Sequence, residues 1–319
     1  LQIMIPRAVF NGQVVCELKN GLCEEASVGT HLFNISQPSG KYAPIPWVEL
    51  ELIWNGGSMI TYADASGNYS FSNVPLYGFV GNSSSSGKNM FRIQVRLTDN
   101  KLISILDCSV PTCNLPYRLG DLFTKETNSF TPPDETIIPL GPIIFSGQKE
   151  TDAASFYIYF ISVAKFYSEI LDVDLEKEGP LAINIFSPGS GANYQADDNP
   201  RFGVSQYRYI RMSDEFPRAQ QFRWMDVVAH EFTHYVHILD GNTPGTTWSW
   251  WWENFAQFMQ EAIQSEFMDY GRVGTNGGCG HVEIDSDFPY RPANRDDPRS
   301  DSDALYCLTS PILLDFMDG

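Results

Sequence analysis

Two histidines four residues apart, with a glutamate directly after the first, stand in the segment HEFTH at residues 230–234. On an α-helix, residues four apart lie on one face, so the imidazoles of His230 and His234 can converge on one cation. Zinc is the natural candidate for two imidazoles. Glu231 then projects beside the metal, where its carboxylate can take a proton from a metal-bound water. The spacing therefore predicts a zinc site with two histidine ligands and Glu231 as general base.

A third ligand must come from further along the chain, and Asp240 is one candidate. It lies six residues after His234, the spacing found in metzincin peptidases. That geometry requires the helix to stop sharply, normally at a glycine three residues after the second histidine, and His237 occupies this position. The first helix breaker is Gly241, so we expect the helix to run to about Leu239 and to carry Asp240 past the metal. His237 is predicted to be a supporting or surface group.

Glu253 is the favoured third ligand. After the turn DGNTPGT, a second helix can begin near Ser249, and WWENFAQFMQEAIQSEF shows an apolar side at helical spacing. Glu253 lies in the first turns of this helix, within reach of a zinc ion held by the first one. Asp240 stays open as the alternative ligand.

The segments DVVAHEFTHYV and WWENFAQF together resemble the gluzincin zinc peptidases. The first segment is similar to thermolysin and fungalysin, and the second to bacterial collagenases. The resemblance covers roughly residues 150 to 268 and implies zinc as cofactor and a polypeptide as substrate. It implies His230, His234 and Glu253 as ligands and Glu231 as base. The segment GANYQ, with Asn193 and Tyr194, resembles the family's edge strand that holds the substrate backbone.

Further residues are assigned by the same resemblance. Gln257 stands where the family keeps an acidic residue that orients a ligand histidine, and an amide can only hydrogen-bond there. Asp226 and Gln257 are predicted to support the ligands. Tyr306 and His281 are the candidates for the group that stabilises the oxyanion.

The first part of the chain, to about residue 145, is predicted to be a β-sandwich. Short runs such as WVELELIW alternate apolar and polar residues with period two, and turn residues separate them. The turn and strand with Asp64, Gly67, Tyr69 and Phe71 resemble carboxypeptidase-regulatory or transthyretin-like accessory domains. We therefore expect residues 1–130 to form an all-β accessory domain.

The sequence pattern changes after the Pro-rich segment TPPDETIIPLGP. We interpret residues 131–145 as a linker and residues 146–319 as an α+β zincin-like lobe that carries the HExxH active-site helix. A long amphipathic helix is predicted from Asp152, which would be its N-cap. The apolar run LAINIF and the alternating run RFGVSQYRYIRM are predicted strands of the same lobe.

Composition excludes some classes of partner. The chain has 319 residues, with 39 Asp+Glu against 21 Lys+Arg and a formal net charge of -18. Such an excess of acid repels phosphate backbones, so nucleic acid is not an expected partner. No run of about 18 apolar residues appears, so no membrane span is predicted.

The cysteines and sequons favour an extracellular location. Six cysteines fall into spaced couples that indicate three disulfides, and disulfides persist in oxidising compartments. Six cysteines allow fifteen connectivities, and proximity favours the pairs Cys16–Cys23, Cys108–Cys113 and Cys279–Cys307. Three glycosylation sequons begin at Asn34, Asn68 and Asn82. The acidic stretch from Asp285 to Asp303 offers oxygen ligands for Ca²⁺, but it lacks the glycine and terminal glutamate of an EF-hand loop, so a solvated loop is favoured.

These observations predict a secreted zinc metalloendopeptidase. The alternative is an extracellular structural or adhesive protein that reuses a peptidase fold, with a structural or vestigial zinc site and an extracellular assembly partner. Gln257 is the residue that keeps this alternative open.

Overall fold

The computed structural model describes residues 6–18, 41–79, 86–109, 120–188, 192–197, 207–213 and 224–239, with residues 255, 256, 259, 260 and 263. These residues are mostly in β-strands and include two long α-helices. The chain divides into two compact units. Residues 1–107 and 121–158 form the first, and residues 108–120 and 159–319 the second. The prediction of a β-rich chain with more than one domain is confirmed.

The first unit is built around one long strand. Strand β1 (Arg7–Glu17) pairs antiparallel with β2 (Tyr42–Pro44) and β5 (Asn68–Pro75). It pairs parallel with β12 (Ile137–Pro139) and β13 (Ile143–Phe145). The predicted linker, residues 131–145, thus supplies two strands to the first unit, and this part of the domain prediction is wrong. Each strand has only three residues, so its apolar run was too short to show a period.

A second sheet of this unit contains β3 (Glu49–Trp54), β4 (Gly57–Tyr62), β8 (Phe91–Arg96) and β11 (Thr124–Glu126). The order of the strands across this sheet is β11-β8-β3-β4. Leu50 and Leu52 on β3 are fully buried. The other face of β3 carries Glu49 and Glu51, and Arg96 makes ion pairs with both. The predicted alternation of this strand is confirmed.

The two sheets of the first unit meet through aromatic side chains. The rings of Phe10 on β1 and Phe91 on β8 lie 5.2 Å apart, and Phe130 contacts both. β6 (Tyr77–Phe79) and β7 (Ser86–Lys88) form a two-stranded antiparallel sheet. β9 (Ile103–Asp107) pairs antiparallel with β10 (Asp121–Leu122).

The turn before β5 has the geometry that its sequence indicates. The Asp64 Oδ1 accepts hydrogen bonds from the N–H groups of Ser66 (2.8 Å) and Asn68 (2.9 Å). Gly67 has a φ of 72°, and a Cβ atom there would lie 2.5 Å from the carbonyl oxygen of Val14. Only glycine combines this φ with this close approach. Tyr69 then points into the core.

Helix α1 (Gln148–Lys165) begins four residues before the predicted start. Asp152 is therefore inside the helix, where Gln148 donates a hydrogen bond of 2.7 Å to its carboxylate, so the N-cap prediction is wrong. Glu150 instead accepts the N–H of Ser146 near the helix start (2.9 Å). The helix is buried nearly all round from Ala153 to Ala164 rather than amphipathic.

The second unit continues from α1 through a π-helical turn (Phe166–Ile170) and a short 3₁₀ turn (Glu176–Glu178). A sheet of this unit contains three neighbouring strands in the order β14 (Leu181–Ser187), β16 (Tyr207–Ser213) and β15 (Ala192–Asp197). β14 is parallel and β15 antiparallel to β16. Helix α2 (Trp224–Leu239) comes next. No helix among the described residues is long and apolar enough to cross a bilayer.

Candidate metal centre

Helix α2 contains the whole HEFTH segment. It continues for five residues after His234, to Leu239, as the sequence predicts. Its buried side carries Val228, Ala229 and Phe232, which are fully buried, so packing holds this helix in place. Because the helix does not stop after His234, it lacks the sharp turn that a ligand at position 240 requires.

The two histidines converge as the spacing predicts. Their Nε2 atoms are 3.1 Å apart, and their ring planes are nearly perpendicular (87°). Two nitrogens bound at about 2.05 Å to one tetrahedral ion would be about 3.3 Å apart. His230 is half-buried and His234 is buried. Both rings therefore present one nitrogen each to a single point, which fits a zinc ion.

Glu231 is held by the backbone of a neighbouring strand. Its side chain is buried, and its Oε2 accepts the N–H of Tyr194 on β15 at 2.6 Å. A short hydrogen bond to a carboxylate is of the strong, charge-assisted kind. The tyrosine ring also lies 6.1 Å from the ring of Tyr235, one turn after Glu231. The structure thus brings the predicted base and the predicted substrate strand together.

Asn193 lies beside Tyr194 on β15, where it pairs with Arg211 of β16. β15 is the last strand in the described order of this sheet. The side chain of Asn193 is outside the described residues, so its role in substrate binding stays a prediction.

A contact that the sequence did not indicate supports α2 from another side. Tyr167, in the π-helical turn, places its hydroxyl 2.6 Å from Thr233 Oγ1. Its ring stacks on Phe232, with centroids 5.7 Å apart. Burial raises the pKa of Tyr167 well above its usual value, so the hydroxyl stays protonated. An aromatic residue in an apolar helix carries no spacing signal that distinguishes it from ordinary core.

No protein-family model matches this chain, and no curated protein matches it. The chemistry of the centre is therefore inferred from its own residues.

Several predicted site residues lie outside the described residues. They are Asp240, Glu253, Gln257, His281 and Tyr306, the acidic stretch from Asp285 to Asp303, and the side chain of Asp226. Among the described residues, no group of three possible metal ligands occurs, because the third ligand candidates are not among them. Their assignments stay predictions.

One described contact concerns the chain next to Glu253. The ring of Phe255, two residues later, stacks on the ring of His237 with centroids 4.3 Å apart. Phe255 and Ala256 are helical, as the second predicted helix requires. The contact packs Phe255 against the last turns of α2, and the role of Glu253 as a ligand stays a prediction.

The cysteines are described in part. Cys16 and Cys108 are disulfide-bonded, and neither is a free thiol. Cys23, Cys113, Cys279 and Cys307 lie outside the described residues, so the predicted pairing is not tested. Of the three sequon asparagines, Asn68 is described; it is exposed at the start of β5.

The first unit carries a groove of about 930 Å³ between β1, β4 and β5. The carboxylate among its described lining residues is that of Asp64, which already accepts the hydrogen bonds of the Gly67 turn. None of the predicted site residues lines this groove. The candidate metal ligands among the described residues, His230 and His234, lie on α2.

Proposed function

We propose that this protein is a secreted zinc metalloendopeptidase, and that its second unit is a zincin-like α+β lobe. The supporting observation is the convergence of His230 and His234 beside the buried carboxylate of Glu231. Two imidazole nitrogens 3.1 Å apart fit one tetrahedral ion. A carboxylate adjacent to a water-binding metal fits the role of general base.

His230, His234 and Glu253 would hold the zinc ion, which when bound supplies Lewis acidity toward the scissile carbonyl and lowers the pKa of a bound water. The carboxylate of Glu231 takes the proton of the attacking water and returns it to the leaving amine. The Tyr194 N–H fixes Oε2 of this carboxylate and so sets the direction of proton transfer. The backbone of β15 orients an extended polypeptide beside Glu231.

An extracellular site of action follows from the same proposal. Two described cysteines are disulfide-bonded, and such bonds persist in oxidising compartments. The excess of acidic residues favours a protein substrate over nucleic acid.

The experiment is digestion of an unfolded protein by the zinc-loaded chain, with and without a chelator, beside the Glu231→Gln variant. We expect chelator-sensitive cleavage, and a loss of about 100- to 10,000-fold in the variant because a general base contributes that much. Zinc content is measured in both proteins, since glutamine should leave the histidine ligands intact. Absence of cleavage by protein with one bound zinc would contradict the proposal and favour a structural protein that keeps a zinc site.

A further inference from the structure

We infer that Tyr167 is a positioning residue for the metal-binding helix, acting through Thr233. The inference rests on the proposed zinc site and adds a residue to it. Thr233 lies inside the HEFTH segment, directly before His234. Its hydroxyl is fully buried, so its hydrogen bonds are made within the protein.

The direction of the hydrogen bonds can be assigned. Thr233 Oγ1 donates to the carbonyl oxygen of Ala229 at 2.7 Å, and a carbonyl can only accept. The single hydroxyl hydrogen of Thr233 is thus used. Tyr167 therefore donates to Thr233 across the distance of 2.6 Å. The result is a buried chain from the tyrosine hydroxyl through the threonine to the backbone of α2.

These two hydrogen bonds, from Tyr167 to Thr233 and from Thr233 to Ala229, fix how α2 is rotated about its axis. At about 100° per residue, Thr233 projects about 80° to one side of the mean direction of His230 and His234, and Glu231 about 80° to the other. Tyr167 holds the first side, and the Tyr194 N–H holds the second. A rotation of α2 that displaced the histidines would strain both hydrogen bonds. Two tyrosines from different elements thus fix the direction in which the histidine rings project.

Tyr167 lies in the π-helical turn, Phe166–Ile170. The turn follows α1 directly, and the N–H of Leu171 bonds to the carbonyl of Phe166 (3.2 Å) while that of Val173 bonds to the carbonyl of Tyr167 (2.9 Å). The first residues of the turn, Phe166 and Tyr167, are buried. Such turns are rare and are found frequently at functional sites.

Packing and hydrogen bonding at Tyr167 can be separated by experiment. In Tyr167→Phe the ring that stacks on Phe232 remains and only the hydroxyl is lost. Thr233→Val removes the same hydrogen bond from the other side at nearly equal volume, and Thr233→Ser restores a hydroxyl. Tyr157→Phe is the matched control, because the Tyr157 hydroxyl is also buried, in α1, and has no hydrogen-bond partner among the described residues.

Zinc affinity is measured by competition with a chromophoric chelator, and the visible spectrum is recorded after Co²⁺ replaces zinc. We expect Tyr167→Phe and Thr233→Val to bind zinc about three- to tenfold more weakly, the equilibrium counterpart of one lost buried hydrogen bond. Their cobalt spectra should shift, because the ligand geometry changes. Thr233→Ser should recover most of the affinity, and Tyr157→Phe should match the wild type.

The outcomes separate this inference from the proposed function. Unchanged zinc affinity and cobalt spectra in variants that are merely less stable would overturn the positioning role while leaving the zinc site in place. A wild-type chain that binds no zinc would overturn both. Because the readout is metal binding, the result does not depend on finding a cleavable substrate.

Discussion

Exchanging each third-ligand candidate for its amide tests the centre most directly. Helix α2 runs to Leu239, five residues past His234, so it lacks the sharp turn after His234 that a ligand at position 240 requires. The chain after Glu253 is instead packed against α2 by the stacking of Phe255 on His237. We therefore expect Glu253→Gln to weaken zinc binding and Asp240→Asn to leave it unchanged.

The size of the effect follows from the number of ligands. Zinc sites with four protein ligands bind with about 10–16 kcal/mol, which is about 2.5–4 kcal/mol per ligand. Loss of the Glu253 carboxylate should therefore weaken zinc binding about 100-fold or more. Asp240→Asn removes the same formal charge from an already acidic chain, so it controls for long-range electrostatics. Its affinity should stay within about twofold of the wild type.

The assay is a competition titration of each variant against a chromophoric zinc chelator at one pH and ionic strength. Circular dichroism confirms that both variants keep the wild-type secondary structure. The reasoning fails if Asp240→Asn loses zinc and Glu253→Gln keeps it. That result would mean that the helix ends earlier in the metal-bound protein and that the site follows the metzincin arrangement.

Two further predictions concern the first unit. Gly67→Ala should lower the free energy of unfolding by at least about 2 kcal/mol, because it adds a close contact with Val14 to an unfavourable backbone conformation. Gly147→Ala has the same kind of backbone conformation but open space around it, so it should lower the free energy of unfolding by about 1 kcal/mol. Urea unfolding of both variants measures the two losses, and equal losses would refute the steric argument. Hydrogen bonds from the Tyr77 hydroxyl and Lys88 lower the pKa of Asp134 in the folded protein. The ionised carboxylate therefore stabilises the fold at pH values above its ordinary pKa of about 3.9. This stabilisation is lost as the pH falls through the lower folded-state pKa. Asp134→Asn should therefore flatten the acid limb of the stability profile, measured as unfolding midpoints from pH 7 downward, and an unchanged limb would show that the interaction does not contribute.

The sequence predicts those parts of the fold that depend on local pattern. Leu50 and Leu52 alternate with Glu49 and Glu51, and a period of two specifies both the strand and its buried face. The run of α2 past His234 is also predictable, because no glycine or proline stands between His234 and Leu239. The strands at residues 137–139 and 143–145 are not, since pairing with β1 gives these short runs their structure. The sequence predicts too late a start for α1, because Asp152 has the residue type of a cap, whereas it is Glu150 that accepts the N–H of Ser146 near the helix start.

The candidate metal centre also has residues whose proximity the sequence predicts and contacts that it does not predict. His230, Glu231 and His234 are close in sequence, and a helical period is enough to bring them together. The partners of α2 come from distant segments: Tyr194 lies 37 residues from Glu231, and Tyr167 lies 66 residues from Thr233. The first was suggested by a resemblance to a peptidase strand. The second had no signal, because a buried hydrogen bond between distant residues leaves no period in a single sequence.

The parallel pairing of β1 has a consequence for biosynthesis. Val9 pairs with Ile137 and Val14 with Ile143, so the N-terminal strand leaves the ribosome long before two of its partners exist. At about 5–20 residues per second, the delay is roughly 6 to 25 seconds. During that time part of one edge of β1 offers unsatisfied backbone groups to other nascent chains. Translation that stalls before Ile137 should therefore yield aggregates, and a chaperone that shields the emerging strand should raise the yield of native protein.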